Sequence, residues 1–272
     1  MASKIYDISF KPYAGTRLKP VERAVYLYWA YLQNILLHTG KGFTKGVFYF
    51  GLSIPILSGI AQLAFMYLLS SIRKTAEIPY GNMISSSAFA LFFTVALTSS
   101  FLISSLLDSH YPIFMRYREM EGAMWFSLYG TVFTITFFPL FLSLLVMFLG
   151  GITLFPDKLA NFSEFINFLS LSAKWLMASI IVSDIIITIS IFFKKSTLSS
   201  LAAVSYPIVL GIIISTISEI MNIPYTSMQS LQIAAIIFSP QNSGWTDFLL
   251  NIVIYTGLLT GAVMYRRRSL WK

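Results

Sequence analysis

The chain has 272 residues, of which 56% are apolar and 16% aromatic, while only 11% carry charge, and its mean hydropathy is +0.73. A water-soluble domain carries roughly 25% charged residues, so this chain has less than half the charge needed to cover a water-facing surface, which excludes a soluble enzyme, a disordered chain and a secreted disulfide scaffold. Zero cysteines remove disulfides, thiolate metal sites and cysteine nucleophiles, and His38 and His110 lie too far apart in sequence to suggest a metal or haem pair. The expected class is an all-α integral membrane protein.

The net charge of +8 is concentrated, with seven of the 19 basic residues before Gly46 and Arg266, Arg267, Arg268 and Lys272 in the last seven positions. Basic residues beside apolar spans mark the cytoplasmic side of a membrane. With no separate soluble domain to form a groove, nucleic acid is not an expected partner. Residues 1–45 are charged throughout and hold no early apolar core, so a secretory leader is not expected either. They form a cytoplasmic segment, and residues 46–272 a membrane domain.

Within the first segment, residues 20–37 read as an amphipathic helix opened by Pro20. Val21, Val25, Trp29, Leu32 and Leu36 recur at helical spacing, and Tyr26, Tyr28, Trp29 and Tyr31 suit a headgroup layer. The helix is expected to lie on the cytoplasmic surface, either as a plain anchor or as a contact for a partner.

A helix needs about 20 mostly apolar residues to cross the roughly 30 Å hydrocarbon layer. Six stretches qualify, at residues 47–69, 84–107, 125–149, about 175–193, 198–217 and 248–265, with Pro55, Pro139 and Pro207 as tolerated kinks. No internal repeat is evident. With the amino terminus inside, the cytoplasmic side collects fifteen of the basic residues and the other side four, Arg73, Lys74, Lys158 and Lys174. Both termini are therefore expected in the cytoplasm of a multi-pass cell-membrane protein.

Two connecting segments carry further patterns. In residues 108–122, Asp108 or Ser109 can cap a short helix that Gly122 ends. Ile113, Phe114, Tyr117 and Met120 form its apolar knob among Arg116, Arg118, Glu119 and Glu121. Such a helix fits a protein groove, although a bare interfacial turn has the same pattern. In residues 222–245 the apolar run 231–238 is too short to span, and Pro224, Pro240 and Gly244 bracket it as turn signals. It reads as a re-entrant element or a folded outer loop.

Chemistry of other kinds is missing. The chain has no phosphate-binding GxxxxGK[ST] loop, no HExxH and no GxSxG, and its serine runs are suited to close helix packing. Few ionisable residues fall within spans. Asp184 is ten residues from Lys194, about 15 Å along a helix, and reads either as a polar point on a transport or proton path or as a packing hydrogen bond. Lys174 and Glu219 come to one level at the outer ends of adjacent spans, with Trp175 expected at the interface, so they read either as an ion-paired gate or as separate anchors.

This arrangement resembles the permease subunit of the ABC type-2 exporter family. Tyr6, Pro12, Tyr13, Gly15 and Arg17 are similar to a tyrosine, proline-tyrosine, glycine, arginine motif that opens one prokaryotic branch of it, and Asp108, Ser239 and Pro240 fall where members often carry an acid and a proline. The inner loop reads PIFMRYRE where the commoner pattern is a serine-arginine-proline run. The resemblance implies a non-catalytic permease paired with a second copy or homologue on two ATPase subunits. These subunits hold ATP and Mg²⁺, and this chain binds no cofactor itself. It further implies that Asp108, Ile113, Phe114, Arg116, Tyr117, Arg118 and Glu119 couple to the ATPase, and that the cargo is an amphipathic lipid, glycolipid, peptide or drug. A membrane anchor of a larger complex and an ATP-independent carrier are the alternatives.

Overall fold

In lipid every backbone N–H and C=O must find its partner inside the protein, which for single segments means helix. The computed structural model of the chain describes residues 19–38, 43–73, 80–109, 118–193, 195–221, 231 and 233–269, and the long apolar stretches among them are all helical. In chain order these are α1 (Pro20–His38), α2 (Phe43–Arg73), α3 (Tyr80–Ser109), α4 (Arg118–Leu154), α5 (Pro156–Leu159), α6 (Phe162–Phe192), α7 (Ser196–Ile220), α8 (Ile233–Phe238), a 3₁₀ turn (Pro240–Asn242) and α9 (Trp245–Ser269). Six of them, α2, α3, α4, α6, α7 and α9, are long and apolar enough to cross a membrane. Pro55, Pro139 and Pro207 lie inside α2, α4 and α7 without ending them.

The central element is α6, which touches α3, α4, α7 and α9. In its most apolar stretch 72% of residues are buried, against 17% in α2 and 22% in α7 and α9, which therefore form the periphery. α4 and α6 run antiparallel, with Phe148 stacked on Phe168 and the Trp175 indole N–H donating to Phe137 O at 3.1 Å. α2 runs parallel to α4, where the Ser143 hydroxyl donates to Pro55 O. Small residues permit such approaches where no hydrophobic force drives helices together. A Cβ on Gly51 would overlap the Thr94 hydroxyl of α3, and one on Gly59 would stand 2.6 Å from Ser143 Oγ.

Several expectations require correction. The fourth long helix begins at Phe162 rather than near residue 175. A hydropathy count stops at Lys174, whereas residues 162–173 are amphipathic, exposing Phe162, Phe165, Ile166 and Leu169 while Glu164 and Ser170 turn inward. Asn161 caps this helix, its side chain accepting from Glu164 N at 2.9 Å. Trp175 is buried in the bundle rather than set at an interface. Gly122 ends no helix; it lies inside α4, which already includes Arg118 and Glu119, while Asp108 belongs to the last turn of α3. The rest of the expected docking segment, residues 110–117, lies outside the described residues.

The helix α1 spans Pro20–His38, and of the stripe expected from sequence Leu32 and Leu36 pack inward while the rest is exposed. Val21, Val25 and Trp29 are 74%, 50% and 56% exposed, while Tyr31, Leu32 and Ile35 are buried. The packed stripe follows Ala24, Tyr28, Tyr31 and Ile35 along α4. Ser127 Oγ donates to Ala24 O at 2.8 Å, the Tyr28 and Thr134 hydroxyls share a hydrogen bond of 2.9 Å, and Gly130 leaves room for the Tyr28 ring. α1 is attached to the first half of α4. The apolar run in 231–238 becomes the six-residue α8, whose Ile233, Ile236 and Ile237 are buried, with the Phe238 ring set edge-on against Phe89 and Phe92 of α3.

The glycine contacts are directly testable. Gly51→Ala should separate α2 from α3 and destabilise the protein by about 1–3 kcal/mol, the usual cost of overpacking. Gly257→Ala, with no atom within 4 Å of the new Cβ, should leave the thermal midpoint in detergent unchanged or slightly raised. Equal midpoints for both variants would contradict the close approach at Gly51.

Candidate functional site

Two polar places interrupt this apolar bundle, one in the last third of α6 and one in its first half. In the last third, Asp184 is 1% exposed and accepts a hydrogen bond from Thr256 Oγ1 of α9 at 2.9 Å through Oδ2. Its other oxygen, Oδ1, has no hydrogen-bond partner, and neither does the Thr188 hydroxyl one turn on. The Tyr129 hydroxyl of α4 faces the same carboxyl closely enough to donate to it. Next to Thr256, the Tyr255 hydroxyl meets that of Tyr206 at 3.0 Å and links α9 to α7. The packing expectation for Asp184 is thus met by Thr256, with the Tyr129 hydroxyl facing the same carboxyl as a second donor.

The second place is a cleft of about 500 Å³ between the start of α3, the face of α6 that carries Glu164 and Lys174, and the 3₁₀ turn. Lys174 Nζ donates to Gln241 O at 3.1 Å and stands 5.8 Å above the Trp245 ring. Gln241 Nε2 in turn donates to Ser85 Oγ at 3.1 Å, so the short turn is tied to both α6 and α3. Tyr80 is 6% exposed, and its hydroxyl has no hydrogen-bond partner. Burial, and secondarily the Glu164 carboxylate nearby, raise its pKa well above the ordinary phenol value, so it remains a neutral donor.

The three ionisable residues expected at a pathway are not brought together. Lys174 belongs to the cleft, Asp184 lies ten residues further along α6, and Glu219 is exposed near the end of α7. The expected Lys174–Glu219 ion pair does not form, because the ammonium turns toward Gln241 and Trp245 instead. Matching heights along two helices fixed their level but not the direction in which each side chain leaves its helix. Tyr129, Thr256, Tyr80, Glu164 and Gln241 escaped sequence reasoning. Neutral hydroxyls in apolar helices carry no signal, and Glu164 fell outside the six expected spans.

The positions expected to couple to an ATPase are only partly placed. Asp108 ends α3, and Arg118 and Glu119 begin α4. Ile113, Phe114, Arg116 and Tyr117 lie outside the described residues, as do Tyr6, Pro12, Tyr13, Gly15 and Arg17. At the same end, Arg267 Nε approaches Glu121 Oε2 at 3.9 Å with its side chain 43% exposed, a pair worth about 0–1 kcal/mol. Among the described residues no group of three or more His, Cys, Asp or Glu side chains could hold a metal ion. Compared with family models, with curated proteins and with solved structures, the chain finds no match.

The Asp184 contact yields a double-mutant test. Thr256→Val removes one of the hydroxyls that face the buried carboxyl and should cost about 1–3 kcal/mol. Adding Asp184→Leu removes the stranded polar group and should recover most of that loss, as replacing both partners by apolar groups generally does. If the double variant melts lower than Thr256→Val alone, Asp184 is held by something other than Thr256.

Proposed function

We propose that this chain is the membrane permease subunit of an ATP-driven exporter of the ABC type-2 kind, moving an amphipathic molecule out of the cytoplasm. The observation that carries the reading is the arrangement of its ends. The starts of α4 and α7 and the end of α9, with Arg118, Lys195, Arg266, Arg267 and Arg268, share one end of the bundle, and α1 is attached to α4 from that same side. Basic ends on one side are the positive-inside pattern, which assigns that end, and both termini, to the cytoplasm of a cell-membrane protein. The ABC-2 resemblance of the amino-terminal motif and of the short element before the last span supports the family.

In this reading the chain hydrolyses nothing itself, since it has no phosphate-binding loop. Two ATPase subunits supply ATP and Mg²⁺, and a second permease copy or homologue completes the transporter. Residues 108–119 receive the ATPase movement, which passes directly into α3 and α4, because Asp108 and Arg118 are parts of those helices. The exposed Val21, Val25 and Trp29 stripe on α1 faces headgroups or the ATPase. Helices moving as rigid bodies then alternate the access of the pathway. The buried Asp184, an ionisable group inside the bundle, favours an ATP-independent carrier as the second reading.

The test is isolation of the intact complex from native membranes. An ATPase subunit should co-purify, and replacing Ile113, Phe114 and Tyr117 together by alanine should reduce its recovery several-fold while leaving membrane insertion unchanged. Complexes that repeatedly lack an ATPase, together with substrate uptake into vesicles without ATP, would replace the exporter by the carrier.

A further inference from the structure

At the end of the bundle that carries the arginines, two peripheral helices leave a groove over the central one. α7 and α9 both pack against α6, and they meet each other through the Tyr206 and Tyr255 hydroxyls, 3.0 Å apart. From that bridge toward the basic end, helical spacing places Leu258, Gly261 and Tyr265 on one side of α9, with Arg268 one turn further. All four are exposed, and a Cβ on Gly261 would meet no atom within 4 Å. On α7, Leu198 is likewise exposed, two turns before Tyr206. Phe192, at the end of α6, supplies the floor, its ring 5.8 Å from that of Tyr265. These two rings are 55% and 60% exposed, so the chain itself does not cover them.

The groove has the depth of one leaflet. Ten residues separate Tyr255 from Tyr265, and eleven separate Lys195, just before α7, from Tyr206, which is about 15 Å along either helix. With the cations at headgroup depth, the tyrosine bridge falls near the midplane of a hydrocarbon layer roughly 30 Å thick. Charge at the open end has one sign. Lys195 and Arg268 are exposed and form no ion pair among the described residues, while Glu121 of α4 is engaged by Arg267. The sequence has no acid between Asp184 and Glu219 and none after Asp247, so neither wall of the groove offers a carboxylate. Basic pockets between membrane helices suit anionic headgroups.

We propose that this groove holds one anionic phospholipid of the adjoining leaflet. Its phosphate is turned toward Arg268 and Lys195, and an acyl chain lies on Leu258, Leu198 and the Tyr265 and Phe192 rings. A zwitterionic headgroup would bring an ammonium to helix faces with no carboxylate to receive it. A second copy of the chain, related by a two-fold axis along the membrane normal, would set these cations against their own equivalents, so the groove suits a lipid rather than self-association. Such a lipid is a resident constituent of the protein and not a cargo, which goes beyond the exporter reading.

The test is native mass spectrometry of the purified full chain in a nonionic maltoside, titrated with phosphatidylglycerol and with phosphatidylcholine of the same acyl chains. Phosphatidylglycerol should bind about tenfold tighter. The double variant Lys195→Gln with Arg268→Gln should lose that preference, whereas Arg267→Gln, at the residue paired with Glu121, should keep it. Gly261→Leu fills the groove without touching a charge and should displace the lipid. Equal affinities for the two lipids, an unchanged preference in the double variant, or unaltered binding by Gly261→Leu would overturn the proposal. A dimer that Gly261→Leu dissociates, with phosphatidylglycerol still bound, would give the groove to a second copy and overturn it as well. No ATPase is needed for this measurement, so its failure leaves the exporter reading standing, and a missing ATPase partner leaves the groove standing.

Discussion

Lipid tails are as apolar as leucine, so burying apolar area cannot by itself hold one membrane helix against another; close contact and hydrogen bonds must do so. That constraint explains the central place of α6. Its buried face is small or β-branched over long stretches, with Ala178, Ser179, Ser183 and Ser190 among isoleucines, and such a surface lets α3, α4, α7 and α9 approach together. Where larger side chains face this helix they interdigitate as rings, as in the stack of Phe148 on Phe168. The peripheral helices α2, α7 and α9 keep leucine, isoleucine and phenylalanine on their exposed sides, as lipid contact requires.

Side-chain hydrogen bonds between helices follow one rule in this protein: most end on a backbone carbonyl. Ser127 reaches Ala24, Ser143 reaches Pro55, Ser104 reaches Phe193 and Ser200 reaches Leu97, all oxygens already engaged or available in their own helices. Measured bonds of this kind in membranes average about 0.6 kcal/mol, so none holds the bundle alone, but together they fix which helix faces meet. Other hydroxyls bond back to the carbonyl four residues earlier, as in Thr131 and Ser183, and so ask nothing of a neighbour. Against this background a carboxyl buried in the bundle, as at Asp184, or an ammonium that ends on a carbonyl, as at Lys174, is informative.

The positions of the six long helices were legible because length and hydropathy alone decide whether a segment can cross. So was the short element before the last of them, since turn residues bracket an apolar run too short to span. Helix faces were less legible. For α1 the larger side chains Val21, Val25 and Trp29 gave the more obvious stripe, while Ala24 and the glycine opposite Tyr28 made the closer contact. Hydropathy scores size and polarity, whereas helix association in lipid rewards smallness. For α6 the count ended at a lysine, although the helix continues with its polar residues turned into the cleft. The expected Lys174–Glu219 pair failed for a related reason: spacing gives height along a helix, and only the packing of neighbouring helices gives rotation about its axis.

The proposed function depends most on which end of the bundle faces the cytoplasm, because the proposed ATPase contact moves to the other side of the membrane if the ends are reversed. The chain contains no cysteine, so single cysteines can be placed on a clean background. The direct measurement is labelling of Ser3→Cys, Ser196→Cys, Ser269→Cys and Ser163→Cys in intact cells by a membrane-impermeant thiol reagent. The account predicts that the first three stay unlabelled until the membrane is opened, while the cysteine at 163, at the exposed start of α6, labels at once. Labelling of the first three in sealed cells, with protection at 163, would contradict it.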